Sequence, residues 1–139
     1  MKVYTQTISI SSKGDLDTHD ITDQVANLIQ ISSQANGTIT LFTASSTSGI
    51  TTIEFEEGCL RDIKRLFEEL ADPNRHYAHN DRWHDGNGHA HVCAALIGPS
   101  ITIPFTDKHL TLGIWQQIMF IDFDNKPRER EIIAQIIGE

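Results

Sequence analysis

The chain has 139 residues, which suits one compact domain because single hydrophobic cores commonly close at about 100 to 150 residues. Its formal charge of −8, from 19 acidic and 11 basic side chains, argues against a nucleic-acid-binding protein, since phosphate contacts need a clustered positive surface. Hydrophobic residues make up 39 %, yet no run approaches the roughly 20 apolar residues of a membrane span, and the N-terminus lacks a signal peptide. With only Cys59 and Cys93, too few for a disulfide scaffold, we expect a cytoplasmic globular protein.

The opening segment predicts a strand followed by a helix. Apolar and polar residues alternate from Val3 to Ile10, with several β-branched side chains, which is typical of a strand with one buried face. Asp20 or Thr22 could then cap a short amphipathic helix. The apolar face of that helix contains Ile21, Val25, Leu28 and Ile29.

A small, hydroxyl-rich loop between two strands is the first candidate site element. The strands are predicted at residues 37–42 and 50–55, and the loop at 43–49 contains Thr47. A second amphipathic helix is predicted from Gly58 to Leu70, because apolar residues recur there at three- and four-residue spacing until Asp72 and Pro73 end it.

The rest of the chain predicts strands only. Extended segments are expected at residues 90–96, 100–105, 111–123 and 130–137, with Trp115 packed in the core. Two helices and about seven strands without regular alternation indicate an α+β fold: a single domain over residues 1–139, with antiparallel or mixed β-sheets and a sandwich-like core. So many short strands leave exposed edges, which proteins often cover by assembling.

Histidines are concentrated in one segment: five of the seven lie within the sixteen residues from His76 to His91. Imidazole is the commonest neutral ligand of zinc and related metals. In an extended chain His89 and His91 share a sheet face, and a fold-back at the glycine-rich turn 85–88 could bring His79 opposite them. The pattern predicts a divalent metal, zinc or magnesium, held by these three histidines. The alternative is that the histidines are half-exposed polar residues on a loop.

Four further side chains are candidates for the site. Glu54 could act as a general base near a metal-bound water, or it is an exposed acid beside an acidic loop. Cys93 could be a thiolate in register with the histidines, or a packed small side chain, which the sequence favours. Gln116 and Gln117 point to opposite faces of the predicted strand, so one of them faces inward and needs a partner, as a ligand-orienting amide would.

Arg128 and Arg130 are two residues apart near the end of the chain. On a strand they can face the same way and hold a phosphate or carboxylate bidentately. Because Asp122 and Asp124 precede them, the alternative is a salt-bridged surface or a subunit interface. We favour ligand binding.

Several spaced motifs of the second half together resemble the YjbQ-like family, a group often labelled secondary thiamine-phosphate synthase. They are Tyr77-Ala78-His79, Asn87 with His91, the segment 96–100 with Pro104, Leu112-Gly113-Ile114-Trp115-Gln116, and Asp124 followed by Arg128 and Arg130. The resemblance covers nearly the whole chain. It implies an α+β domain with sandwiched sheets, a homotrimer, and a weak activity that joins a pyrimidine methyl diphosphate to a thiazole phosphate and releases diphosphate. On this scheme the two arginines could hold phosphate while a divalent ion neutralises the leaving group.

The chain departs from the family pattern in the loop before Glu54. Many relatives carry His-Thr-Thr-Ala there, whereas this chain has Ser45-Ser46-Thr47-Ser48. The additional His84 or His89 could replace the missing histidine.

The leading expectation is a small metal-dependent enzyme that acts on an anionic or phosphorylated small molecule. The expected metal ligands are His79, His89 and His91, the expected catalytic residues are Glu54, His84 and Gln116, and the expected ligand-binding residues are Thr47, Asn87, Arg128 and Arg130. The alternatives are a non-catalytic oligomeric protein that binds a metabolite or a metal, and a structural trimer whose histidines and arginines line subunit contacts.

Overall fold

The computed structural model describes residues 1–139 and has four helices and eight strands. The strands are β1 (Lys2–Ser12), β2 (Asp17–Asp20), β3 (Gly37–Thr43), β4 (Ser48–Ile53), β5 (Ser100–Thr106), β6 (His109–Leu110), β7 (Gln117–Asp122) and β8 (Arg128–Gly138). The helices are α1 (Thr22–Ile31), α2 (Glu57–Leu70), α3 (Ala78–Trp83) and α4 (Gly88–Ile97).

Five strands form the larger sheet, in the order β1-β8-β3-β5-β6, and every pairing is antiparallel. Side chains alternate across it: on β8, Ile132, Ala134 and Ile136 are buried while their neighbours are exposed. This one-sided burial is what the period-2 pattern of the sequence predicted. The strands expected at residues 3–10, 37–42, 100–105 and 130–137 are confirmed.

Three strands form the smaller sheet, in the order β2-β7-β4, also antiparallel. Its central strand β7 is buried on both faces. Ile118 and Phe120 pack with the inner face of the larger sheet and with α1, whereas Met119 and Ile121 pack with α2 and α4. The layers are therefore large sheet, small sheet and a helical cover, which confirms the α+β fold with packed antiparallel sheets.

Both predicted helices are present. Thr22 begins α1, and its backbone N–H donates to the carboxylate of Asp20 at 3.0 Å. The Glu56 carboxylate accepts from the backbone N–H groups of Gly58, at 2.8 Å, and Cys59 at the start of α2. These contacts satisfy N–H groups that have no partner within a helix. None of the four helices has the length and apolar character needed to cross a bilayer.

The predicted strand at residues 90–96 is wrong, because Gly88–Ile97 is the helix α4, and the short helix α3 was not predicted. A short apolar run fits either a buried strand or a buried helix. Three alanines favour the helix. The buried residues of α4, Gly88, His89, Ala90, Cys93 and Ala94, recur with a helical period. The geometry assumed for the histidine cluster changes as a result.

The strand predicted at residues 111–123 is shorter than expected and covers only Gln117–Asp122. A turn precedes it, in which the Gln116 side chain accepts from the Gly113 N–H at 2.8 Å and the Gln116 N–H donates to the Gly113 carbonyl at 2.9 Å. Ile114 is 83 % exposed and Trp115 is 67 % exposed. The prediction that Trp115 packs in the core is therefore wrong for the single chain.

Candidate functional site

A polar cleft of about 420 Å³ opens where the β3–β4 loop, the first turns of α3 and α4, and the β7–β8 connection meet. We call it the arginine–histidine cleft. Its lining residues are mostly polar: Ala44, Ser45, Ser46, Thr47, His79, Trp83, Asp85, Asn87, His91, Asp124, Arg128 and Arg130. It brings together the hydroxyl-rich loop, two of the predicted metal ligands and all four predicted ligand-binding residues.

Arg130 is held in one position at the base of the cleft. Its guanidinium group forms a bidentate pair with Asp122, with Nε to Oδ2 at 2.7 Å and Nη2 to Oδ1 at 3.0 Å. Asp122 is fully buried, so this pair is largely removed from solvent. The terminal nitrogens also donate to Ser45 Oγ and Thr47 Oγ1, each at 2.9 Å. Arg130 therefore fixes the β3–β4 loop against the end of the small sheet.

Asp124 connects the other groups of the cleft. Its Oδ2 accepts from Arg128 Nε at 3.0 Å and from Thr47 Oγ1 at 3.2 Å. Its Oδ1 accepts from Asn87 Nδ2 at 3.3 Å and from the backbone N–H of Asn125 at 2.8 Å. Burial alone raises the pKa of this carboxyl group, but the hydrogen bonds and the Arg128 charge outweigh burial and lower the pKa below its ordinary value. Asp124 is therefore a carboxylate at neutral pH.

Arg128 differs from Arg130 in its freedom. It contacts Asp124 through Nε only, and its side chain is 38 % exposed. The two terminal nitrogens form no hydrogen bond within the chain. One edge of a guanidinium group, with its donors in a fixed fork, is thus available to an oxyanion in the cleft.

His79 and His91 meet on the opposite wall, with ring centroids 4.2 Å apart and ring planes at 47°. Nε2 of His79 is buried and has no hydrogen-bond partner; Asp85 Oδ1 lies 3.4 Å away but is not aligned for a hydrogen bond. Burial and the neighbouring His79 lower the pKa of His91, although Asp85 and Asp124 act against them. His91 is therefore a neutral imidazole near pH 7, available as a base.

Gly88 explains how two helices bring these rings together. A Cβ atom at Gly88 would lie 2.5 Å from Cβ of Tyr77, so only glycine allows the start of α4 to approach α3 so closely. The Gly88 N–H also donates to Asn80 Oδ1 at 2.8 Å. Next to it, Asn87 is buried, donates to Asp124 and keeps its Oδ1 without a partner. This oxygen is a further unused acceptor at the cleft.

His89 does not join His79 and His91. Consecutive helical residues are rotated by about 100°, so residues two apart point to nearly opposite sides. His89 instead lines a second cavity with Cys93, four residues further along α4. The predicted convergence of His89 and His91 on one ion is wrong, because it assumed an extended chain. No group of three or more His, Cys, Asp or Glu side chains is arranged to hold a metal ion.

The three predicted catalytic residues lie outside the cleft lining. Glu54 is exposed just after β4, and His84 is exposed at the end of α3 with a positive φ of 55°. Gln116 is exposed and closes the turn at Gly113. The inward-facing glutamine is Gln117, whose Oε1 accepts from the Phe55 N–H at 2.9 Å. No contact connects any of the three predicted residues to the His79–His91 pair.

The cleft also contains residues to which the sequence analysis gave no role. Ser45 and Trp83 line it, and Asp122 lies behind it as the partner of Arg130. The spacing Asp122-x-Asp124 before Arg128-x-Arg130 was the available signal. Two acids and two bases, each two residues apart on neighbouring extended segments, can pair across the turn between them. Ser45, at the position of the absent family histidine, donates no ring nitrogen but contacts Arg130.

Comparisons with known proteins agree along the whole chain. A family model described as UPF0047 protein YjbQ-like matches residues 6–139. A UPF0047 protein of Methanothermobacter thermautotrophicus is 34 % identical over 139 residues, which cover 100 % of this chain and 95 % of the relative. A UPF0047 protein of Archaeoglobus fulgidus is 36 % identical over 118 residues, which cover 85 % of this chain and 89 % of the relative.

A solved structure shares the fold. The crystal structure of a YbjQ-like protein of unknown function from Sulfolobus solfataricus matches with a TM-score of 0.94 and 36 % identity over 99 % of both chains. At this identity and coverage, the two chains have the same strand order and the same layers.

Proposed function

The chain belongs to the YjbQ-like UPF0047 family, and on that basis we propose that its arginine–histidine cleft binds a small phosphorylated or otherwise anionic molecule and acts on it by acid–base chemistry. The observation behind the proposal is that Arg128, with a free guanidinium edge, and His79, whose buried Nε2 has no partner, line the same polar cleft. A buried ring nitrogen without a partner is costly unless a ligand or water satisfies it.

The anion would be held by donors that the chain already positions. Arg130 is fixed by Asp122, so its charge is balanced, and its contacts orient the hydroxyl groups of Ser45 and Thr47. Arg128 is paired with Asp124 through Nε only, so its two terminal nitrogens supply the available donors at the cleft. A phosphoryl group that meets the terminal nitrogens of Arg128 would accept charge-assisted hydrogen bonds, which are stronger than those between neutral groups.

The histidine pair supplies the proton-transfer groups. The two imidazole rings lie 4.2 Å apart, and the proximity of His79 contributes to the lowered pKa of His91. In this proposal His91, whose pKa is lowered, takes a proton, while His79 donates through Nε2 to the oxygen of a leaving group. A positioned general acid or base typically accelerates a reaction about 10² to 10⁴-fold.

The weak thiamine-phosphate synthase activity is the specific reaction we propose within this class. In that reaction the thiazole nitrogen forms the new C–N bond as the C–O bond to diphosphate breaks. No proton is removed from the thiazole, so the chain contributes hydrogen-bond donation from Arg128 and His79 to the departing diphosphate. The activity would then be a side reaction of a cleft built for another phosphorylated substrate.

Metal dependence stays a prediction. Because the chain offers His79 and His91 but no third side chain arranged with them, a zinc or magnesium ion would need further donors from the substrate or from water. Such an ion would supply charge neutralisation at the phosphoryl oxygens. The proton transfers assigned to the two histidines do not depend on it.

The test uses inorganic diphosphate as the probe, followed by isothermal titration calorimetry, with Arg128→Ala as the decisive variant. We expect binding that falls about tenfold or more in that variant. The matched control is Arg65→Ala, which removes an exposed arginine on α2 paired with Asp62. Absence of binding to the wild type at about 1 mM, or equal binding in both variants, would contradict the proposal.

Turnover is measured separately, as diphosphate release from a pyrimidine methyl diphosphate in the presence of a thiazole phosphate. The assay is run with zinc, with magnesium and with a chelator. Release that disappears in His79→Ala supports donation to the leaving group, and loss in chelator supports the predicted metal.

A non-catalytic metabolite-binding protein is the second candidate. The observation that favours it is that both arginines are already paired with Asp122 or Asp124, as in a preformed binding site. If the protein retained a ligand tightly but turned over none of a panel of phosphorylated compounds, the non-catalytic binding function would be supported.

We also propose that the protein is a cytoplasmic homotrimer. The exposed Ile114 and Trp115 support assembly, since large apolar side chains side by side at a surface mark contacts with a partner. The free thiols of Cys59 and Cys93 suit a reducing compartment.

A further inference from the structure

A second cavity lies between α2 and α4, and no residue that lines it also lines the arginine–histidine cleft. We call it the α2–α4 cavity. Its volume is about 180 Å³, and its lining is Asp15, Leu16, Phe67, Glu68, Ala71, Pro73, His89, Cys93 and Phe123. Two elements contribute to both sites: α4 presents His91 to the cleft and His89 to the cavity, and the segment after β7 contributes Asp124 to the cleft and Phe123 to the cavity.

The body of the α2–α4 cavity is apolar. Phe67 and Phe123 form an edge-on pair with centroids 4.9 Å apart, and Leu16, Ala71 and Pro73 complete the walls. An apolar protein cavity of about 150 Å³ is large enough to bind benzene. A volume of about 180 Å³ therefore accepts one six-membered ring with a short substituent.

The polar groups of this cavity are few and have no partners. His89 is 8 % exposed, and its Nδ1 is buried without a hydrogen bond. Asp15 and Glu68 contribute two carboxylates to the lining, and neither forms a salt bridge or a side-chain hydrogen bond within the chain. The polar part of the cavity thus combines an unused ring nitrogen with two solvent-exposed carboxylates that have no salt-bridge partner.

We propose that the α2–α4 cavity is a binding site for a small primary amine with an aromatic or compact aliphatic body of about eight non-hydrogen atoms. The body packs against Phe67 and Phe123. The ammonium group donates to Nδ1 of His89 and is attracted by the carboxylates of Asp15 and Glu68. An anionic ligand of the same size is excluded by those two charges.

The protonation states of the lining agree with an ammonium ligand. Nδ1 of His89 has no partner within the chain, so in the tautomer protonated at Nε2 it can accept a hydrogen bond from an ammonium group. Burial raises the pKa of Cys93 to about 11, so its thiol stays neutral and forms part of the wall.

The experiment is a titration of the ¹⁵N-labelled full chain with benzylamine, followed in two-dimensional amide spectra. Benzyl alcohol and benzoate, of similar size, are titrated in parallel. We expect saturable shifts at Phe67, Ala71 and Cys93, with benzylamine binding more tightly than the alcohol and benzoate not binding. Shifts that never saturate, equal affinity for the three compounds, or shifts confined to His79 and His91 would overturn the proposal.

The decisive variant is Asp15→Asn/Glu68→Gln, which removes the two charges without changing the size of the side chains. Asparagine tolerates the positive φ of 51° at position 15, and Glu68 is exposed on α2, so the fold is retained. Benzylamine affinity should fall about tenfold or more while that of benzyl alcohol is unchanged. An unchanged benzylamine affinity in this variant would refute the role of the carboxylates. Diphosphate binding in the cleft should be the same in both proteins, so the two sites are tested independently.

Discussion

The rings of His79 and His91 lie 4.2 Å apart although they belong to different helices, and His89, two residues before His91, points away from both. His79 and His91 thus form a pair, and His89, which was expected to be the third metal ligand, lies apart from them. The pair rests on the close approach of α3 and α4 at Gly88. The chemistry of the cleft therefore depends on two imidazoles, and the effects of substituting individual histidines differ accordingly.

The first prediction concerns metal binding. If the protein takes up zinc in the cleft, His79→Ala and His91→Ala should each lower the bound zinc, whereas His89→Ala should leave it unchanged. The reason is that a single imidazole binds zinc far more weakly than two convergent ones. The measurement is zinc per chain by inductively coupled plasma mass spectrometry after equilibration and desalting. Zinc lost in His89→Ala but kept in His91→Ala would contradict the structure.

The second prediction compares how much Arg128 and Arg130 each contribute to the free energy of unfolding. Arg130→Ala leaves the fully buried Asp122 without its bidentate partner and should reduce the free energy of unfolding by about 3 to 5 kcal/mol. Arg128→Ala removes one of several partners of the buried Asp124, which keeps hydrogen bonds from Thr47, Asn87 and Asn125, and should cost less, about 1 to 2 kcal/mol. Urea denaturation followed by circular dichroism measures both.

Asp122→Asn/Arg130→Met is the control for this comparison, since it removes both buried charges together. It should be more stable than Arg130→Ala, because an uncompensated buried charge costs more than a missing pair. Equal destabilisation by Arg128→Ala and Arg130→Ala would show that burial of Asp122 does not decide the outcome.

The third prediction concerns pH. Burial lowers the pKa of both His89 and His91, so the unfolded chain, with histidine pKa values of about 6.5, binds protons at a pH where the folded chain does not. The stabilising contribution is complete above the unfolded pKa. It declines as pH falls from about 6.5 toward the lower folded pKa values.

Urea midpoints measured between about pH 7.5 and pH 5.5 should therefore decrease, and His89→Gln/His91→Gln should flatten that decrease. His109→Gln is the control, because it removes an exposed histidine that lines neither site. A double variant with the wild-type pH dependence would show that the titration lies elsewhere.

The sequence predicted those parts of the fold that depend on local pattern. Apolar and polar residues alternate along β1 and β8, and apolar residues recur at helical spacing along α2. Each pattern indicates one buried face, so these elements were predicted. The segment from Ala90 to Leu96 has no periodic pattern that indicates one buried face. It is buried on one side by β7 and opens to the cleft at His91, and only these tertiary contacts distinguish a helix from a strand.

The positions of the predicted site residues depend on the local backbone. Arg128 and Arg130 share a face because β8 is extended, so the two-residue spacing correctly predicted that both reach one cleft. The same rule applied to His89 and His91 was wrong because α4 is a helix. The pairing of Asp122 with Arg130 matches the salt-bridge alternative that their spacing suggested. The approach of His79 to His91 depends on how two helices pack, which one sequence cannot specify.

The last prediction concerns assembly through the turn before β7. Ile114 and Trp115 are 83 % and 67 % exposed, although the motif that contains them is largely apolar. In the proposed trimer these side chains are buried by a neighbouring copy, so Ile114→Ser/Trp115→Ser should lower the solution mass from three chains to one. Size-exclusion chromatography with light scattering measures it. The control is Leu96→Ser, which removes an apolar side chain, 62 % exposed, at the end of α4 and should leave the mass unchanged. A wild-type protein with the mass of one chain would contradict the trimer, and a variant that keeps three chains would place the contact on another surface.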